Sequence, residues 1–300
     1  MDRQVDSRRP RVAARTALSA LFVLLLLCAT GCGLLPMSQA AQPPPADSLV
    51  VSFIDVGQGD AILVQSGGKN YLVDGGRSEE GPNVVDFLRS RSVGSLDGLV
   101  ATHPDADHVG GLPDVLDAFD VATVYVSGET KGTTTFNAFL RGVRDEGSQV
   151  IEARDGIQTD WGGTTVDVIA PPPGNLFEES NDNSVATLLT FGTARILLAG
   201  DAEKKEEEYM SNGSHTGPLT VLKVNHHGSN TSTTPLFLNR FRPEIAVIQV
   251  GADNSYGHPT PQTLERLRKA GAKVFRNDEH GDVIITIKDD KVDVATTKGS

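Results

Sequence analysis

Two histidines and two aspartates occupy four of six consecutive positions in the stretch "THPDADHVGG": His103, Asp105, Asp107 and His108. Imidazole nitrogens and carboxylate oxygens are ligand types for Zn²⁺ and Mn²⁺. The competing reading is an acidic loop that happens to hold histidines. Three further places put polar residues straight after an apolar run: Asp74 in "YLVDGG", Asp201 in "ILLAGD", and His226 with His227 in "LTVLKVNHHGS". In layered α/β folds strand ends gather on one edge, where ligands bind. Four clusters built mainly of His and Asp therefore point to a metal centre. A dinuclear hydrolytic site needs about three or four ligands per metal and a bridging carboxylate, with the metals about 3.5–4 Å apart. His103, Asp105, Asp107, His108, Asp201 and one of His226 or His227 supply that set.

The elements around these residues read as alternating strands and helices. "LVVSFIDV", "AILVQS" and "NYLVDGG" are strands separated by glycine turns, and "NVVDFLRSR" has helical spacing. "LDGLVAT" is an apolar strand that ends at the histidine loop, and "GGLPDVLDAF" begins a helix. "SVATLLTFG" and "ARILLAGD" form a hairpin. "AEKKEEEYM" is a short helix whose charge run reads as solvated and is assigned no function. Strands dominate both ends of the chain and helices are interspersed through its middle. The pattern predicts two β-sheets packed together with helices outside, a four-layer αββα sandwich.

The amino terminus differs in kind. Five arginines within residues 3–15 precede the uncharged "ALSALFVLLLLCA", which is short for a bilayer span of about 20 residues. A basic segment followed by a short apolar one is the pattern of a secretory signal. Small residues in "ATGC" directly before Cys32 look like a lipobox, with Cys32 as the lipidated first residue; Ala29 departs from the leucine usual there. An ordinary signal cut near Ala40, or an uncleaved anchor, is the alternative. Residues 1–31 thus read as a lipoprotein-type signal peptide, residues 32–48 as a Pro-rich tether, and residues 49–300 as one hydrolase domain. The two cysteines, Cys28 and Cys32, fall in the leader and at its end, so imidazole and oxygen must hold any metal. Without residues 1–31 the chain has 22 basic and 37 acidic side chains, a net charge of −15. Such a surface argues against nonspecific coating of DNA, while screening within about 10 Å leaves room for a local cationic cleft.

The ordered motifs "FIDVGQGDA", "YLVDGG", "THPDADHVGGL", "NDNS", "LLAGDAE", "LKVNHHGS" and "YGHPTP" resemble the metallo-β-lactamase superfamily, and within it the domain of ComEC-type DNA-internalisation (competence) proteins. The likeness runs from about Phe53 to Asp282. Asp105 stands where the superfamily carries its second histidine. The resemblance implies that His103 and Asp105 hold one cation, that Asp107, His108 and one of His226 or His227 hold a second, and that Asp201 bridges them. It leaves Zn²⁺ and Mn²⁺ both open. Asp74 and Asp182 would support ligands from behind, and in "NDNS", where the superfamily's remaining histidine is absent, Asn181, Asp182 or Asn183 would either ligate or leave that cation open.

The mechanism this implies is hydrolysis by a hydroxide bridging the two metals, with Asp107 orienting it. His258 would bind a phosphate oxygen or protonate the leaving group. Ser229 and the glycine pair of "DHVGG" would offer donors to an anion, and Lys223 is either a buried cleft lysine or one at a strand edge. The expected function is a phosphodiesterase or nuclease acting on a phosphodiester such as extracellular DNA, in an exported envelope lipoprotein or secreted protein. The alternatives are an envelope hydrolase of a small ester, lactam or phosphocholine unit, or a non-catalytic binding protein of the same fold. Lipidation has a direct test. Wild-type chain expressed in a lipoprotein-processing bacterium incorporates radioactive palmitate and fractionates with membrane, and Cys32→Ser loses both; unchanged labelling in the variant would overturn the lipobox reading.

Overall fold

The computed structural model describes residues 43–174 and 176–299, so the leader, Cys32 and most of the tether lie outside the described residues. The first hairpins are β1 (Leu49–Phe53), β2 (Ile62–Ser66) and β3 (Lys69–Val73), followed by α1 (Gly81–Ser90) and β4 (Gly98–Ala101). The motif "DADHVGG" forms the single turn α2 (Ala106–Val109) and leads into α3 (Leu112–Ala118). Then come β5 (Thr123–Val126), α4 (Thr134–Glu146), β6 (Gln149–Glu152), β7 (Gln158–Trp161), β8 (Thr164–Ala170), β9 (Ala186–Phe191) and β10 (Ala194–Leu198). The last third holds α5 (Lys204–Asn212), β11 (Leu219–Lys223), α6 (Pro235–Phe241), β12 (Pro243–Ile248), α7 (Pro261–Ala270), β13 (Lys273–Arg276), α8 (Asn277–His280), β14 (Val283–Lys288) and β15 (Lys291–Thr296).

The strands make two sheets, ordered β15-β14-β1-β2-β3-β4-β5-β6 and β13-β12-β11-β10-β9-β8-β7. Alternation along each strand distributes side chains between layers. In β2, Ile62 and Val64 enter the core between the sheets, while Leu63 faces the helix layer of α1, α3 and α4. In β10, Ile196 and Leu198 enter the same inter-sheet core, while Leu197 packs beneath α5, α6 and α7. Three apolar cores between four layers give the αββα sandwich read from the sequence. Helix starts follow local chemistry: the hydroxyls of Thr133, Thr234 and Thr260 accept from the amides of Phe136, Phe237 and Thr263 at the heads of α4, α6 and α7.

β3 to β6 run parallel, as do β10 to β13. The carboxyl ends of β3, β4, β10 and β11 are followed by Asp74, His103, Asp201 and His226–His227, so topology gathers the four polar clusters. Among the described residues no helix is long and apolar enough to cross a membrane.

Two readings change. β7 has only "QTDW" to announce it, too polar and too short to signal a strand; Trp161 anchors it by stacking on Tyr71 with ring centroids 4.2 Å apart. The charge run of α5 is not solvated throughout, because Glu206 and Glu207 are both buried. Glu207 accepts from the amides of Thr233 and Thr234 and from Asn225 Nδ2, and burial pushes its carboxyl up to about 7. It ties α5 to the loop that carries the second histidine pair.

Candidate metal centre

Asp74 follows β3 with a left-handed backbone, φ 58°, which turns its carboxylate under the start of the histidine loop. Its Oδ1 accepts from Thr102 N at 2.8 Å, and its Oδ2 accepts from Thr102 Oγ1 at 2.7 Å and from His108 Nδ1 at 2.8 Å. Thr102 gives its only hydroxyl proton to Asp74, so at 3.1 Å it must accept from His103 Nδ1. His227 Nδ1 donates to the Gln249 carbonyl at 2.9 Å. All three rings are therefore held by Nδ1 and present Nε2 to the centre, the arrangement by which outer partners fix a ligand's tautomer.

These nitrogens converge on one carboxylate. His108 Nε2 and His227 Nε2 each lie 3.3 Å from Asp201 Oδ2, and both are buried with no hydrogen-bond partner. His103, His108 and Asp201 form one group that could hold a cation, and Asp107, His108 and His227 form another. Buried nitrogens without partners beside ionised carboxylates are the donor set of a divalent cation, and these residues fit one. Burial pushes His103 down to about 4, leaving it neutral and fit to ligate. Burial acts the same way on His108 and His227, but Asp201 with Asp74 or Asp60 outweighs it and raises both. Asp201 stays ionised: burial would raise it, and His227, His108 and Lys223 pull it well below the usual carboxylate range.

Beneath the cluster lies a pair the motif reading undervalued. Lys223, 0% exposed, places Nζ 2.5 Å from Asp60 Oδ2, 2.8 Å from the Gly200 carbonyl and 3.4 Å from Asp201 Oδ1. Lys223 therefore touches no substrate; it is the countercharge under the site. Asp60, in "VGQGD", is more than a turn residue, since it pairs with Lys223 and lies 3.4 Å from His227 Nδ1. The turn needs Gly59: a Cβ there, at φ 133°, would sit 2.2 Å from the Asp107 carbonyl, which accepts from Asp60 N.

Other expected residues fall elsewhere. Asp105 lines the cleft but stands outside the cation-holding groups, paired with Lys131 Nζ at 2.5 Å, the cation its carboxylate finds in this chain. Of the histidine pair, His227 enters the cluster; His226 is part-exposed and lies 2.9 Å from Glu203. Strand alternation fails here because β11 ends at Lys223 and both histidines take left-handed backbones, φ 47° and 50°. Ser229 spends its amide on the His226 carbonyl and turns its hydroxyl to Thr231, each at 2.8 Å. The amides of Gly110 and Gly111 are spent on the carbonyls of Ala106 and Gly76. Asp182 accepts from Glu206 N at the head of α5, which corrects its expected support of a ligand; its neighbour Asn181 reaches the cleft. Asp107, His258, Gln58 and Tyr256 line the same cleft, of about 100 Å³. Asp107 is held well below its usual range against burial by His227 and His108, and burial together with His226 and His227 lowers His258.

This fold and this cluster define a metal-dependent hydrolase. A family model described as the metallo-beta-lactamase superfamily matches residues 54–251, and the chain belongs to that superfamily. Competence protein ComA of Neisseria gonorrhoeae is 31% identical over 270 residues, which cover 86% of this chain and 36% of that protein. ComE operon protein 3 of Bacillus subtilis is 28% identical over 251 residues, covering 78% and 32%. These relatives bear out the resemblance to the ComEC-type domain, and the chain spans about a third of their length. Among solved structures, the diiron beta-hydroxylase CmlA of Streptomyces venezuelae superposes with a TM-score of 0.52 at 14% identity, over 81% of this chain and 54% of that one, a likeness of fold.

Removing the buried countercharge should be costly. Lys223→Met leaves Asp60 and Asp201 facing each other without it, and metal-free stability should fall by about 3–5 kcal/mol. Urea unfolding in EDTA measures this; a midpoint within error of wild type would contradict it.

Proposed function

We propose that this hydrolase is a phosphodiesterase whose substrate is a nucleic acid outside the cell. The observation that carries this reading is the cleft itself: a floor of Asp107, Asp201 and His227 beside three neutral hydrogen-bonding side chains, Gln58, Asn181 and His258. Carboxylates and imidazoles suit a hard phosphate oxygen, with no cysteine after Cys32 to soften the set. The names of the competence relatives support a nucleic-acid substrate, and the reading of residues 1–31 as an export signal with lipid at Cys32 accords with one outside the membrane.

Two divalent cations, Zn²⁺ or Mn²⁺, would share Asp201, one on the His103 side and one held by Asp107, His108 and His227. When bound they supply positive charge against the phosphoryl oxygens and make water more acidic. The chain's own groups do the rest. Asp107, kept ionised, accepts a hydrogen bond from the attacking water and orients it. The neutral His258 ring, with Nδ1 unpartnered, binds a phosphate oxygen together with the Gln58 and Asn181 amides. The water oxygen bonds to phosphorus and releases a proton to solvent in the open cleft, the ester P–O bond breaks, and the leaving oxygen takes a proton from that solvent, giving a phosphomonoester and an alcohol.

Two steady-state measurements test this. With Mn²⁺ or Zn²⁺ added, kcat/KM for bis-p-nitrophenyl phosphate should exceed that for a chromogenic cephalosporin. Asp107→Ala should reduce the former by about 10²-fold or more, the scale of losing one preorganised electrostatic group. A higher value on the lactam, or phosphodiesterase activity that survives Asp107→Ala, would overturn the proposal.

A further inference from the structure

Tyr256 is 59% exposed, the most exposed large apolar side chain and the only exposed aromatic among the described residues. It contributes little to any core, yet the backbone that carries it is tied down. Asn254 Oδ1 accepts from the amides of Tyr256 and His258 at 3.2 and 3.0 Å, while Asn254 Nδ2 donates to the carbonyls of Gly251 and His258 at 2.8 and 2.7 Å. The loop abuts the "VGQGD" turn so closely that a Cβ on Gly251 would lie 2.8 Å from Gln58 N. The phenol ring lies nearly parallel to His258, centroids 5.8 Å apart and planes 26° from one another, and both rings line the cleft above Asp107 and Asp201.

A flat aromatic face held rigidly at the mouth of a catalytic cleft matches a flat π partner. The cleft's volume of about 100 Å³ is well below the roughly 300–1,000 Å³ of pockets that enclose a small molecule. It takes the phosphoryl group and leaves the attached base outside, on the rim where Tyr256 stands. The adjoining hollow, about 350 Å³, shares Gln58 with the cleft but carries Glu79, Glu80 and Asp253 against the single cation Arg77. That rim repels a long polyanion, so recognition must come from a base and not from the backbone.

Resting on the phosphodiesterase reading, we infer that Tyr256 is a nucleobase-stacking platform beside the scissile phosphate, and that the substrate is therefore an unpaired nucleotide phosphodiester, a single strand or short oligonucleotide. Duplex bases are stacked on one another and cannot reach it. Base–aromatic stacking of this kind is strong enough that its loss shifts binding by about tenfold or more.

The test uses the metal-loaded chain and three substrates of equal length: a single-stranded DNA oligonucleotide, the same strand in a duplex, and a strand of abasic sites. A 2-aminopurine oligonucleotide, bound in EDTA, reports stacking through fluorescence quenching independently of turnover. We expect kcat/KM on the base-bearing single strand to exceed that on the other two about tenfold or more. Tyr256→Ala should erase most of that advantage, chiefly by raising KM, and abolish the quenching, while Tyr256→Trp should restore both. Equal rates on abasic and base-bearing strands, or quenching untouched in Tyr256→Ala, would overturn the platform. Cleavage of none of the three would sink the phosphodiesterase reading alone, and the quenching would then decide the platform.

Discussion

Three carboxylates, Asp60, Asp74 and Asp201, lie almost wholly out of water at the meeting of two sheets, where a buried anion is costly unless positive charge or hydrogen-bond donors surround it. Each meets that demand differently. Asp74 is saturated by Thr102 and His108, Asp60 pairs through one oxygen with Lys223, and Asp201 meets Lys223 on one oxygen and two imidazoles on the other. Only the groups around Asp201 keep unpartnered nitrogens. Each buried carboxylate thus has a countercharge or donors beside it, and the imidazole nitrogens at Asp201 are left for a cation.

That arrangement constrains the surrounding fold. Parallel strands bring four chain segments to one edge, and sharp turns on leaving them explain the left-handed backbones at Asp74, Gly200, His226 and His227. Loops that carry cleft residues are tied down by their own side chains: Asn254 holds the segment from Gly251 to His258, and Glu207 holds Thr233 and Thr234.

Much of this was legible in the sequence because it depends on local signals. Apolar runs broken by turns marked most strands of both sheets, and His103, Asp107, His108 and Asp201 were visible as polar residues placed just past such runs. What stayed hidden depends on three-dimensional pairing. Alternation carried on past Val224 would turn His226 inward, but the strand ends one residue earlier and the backbone changes hand, so His227 enters instead. Lys223 and Asp60 are 163 positions apart, so nothing local marks them as partners. The same holds for Asp105 with Lys131, and for Glu207 buried within a run of charges that reads as solvated. Asp182 looked like site chemistry because it lies in a motif, yet its carboxylate caps the distant head of α5.

The central claim is that Asp201 and His227 are the fixed points of a metal centre that the fold prepares in advance. Anomalous scattering from crystals grown with Mn²⁺ locates the cations most directly. The account predicts density bonded to the Asp201 carboxylate and to His108 and His227 through Nε2, with His226 and Lys223 left outside. Density bonded to His226 in place of His227, or lying away from Asp201, would contradict it.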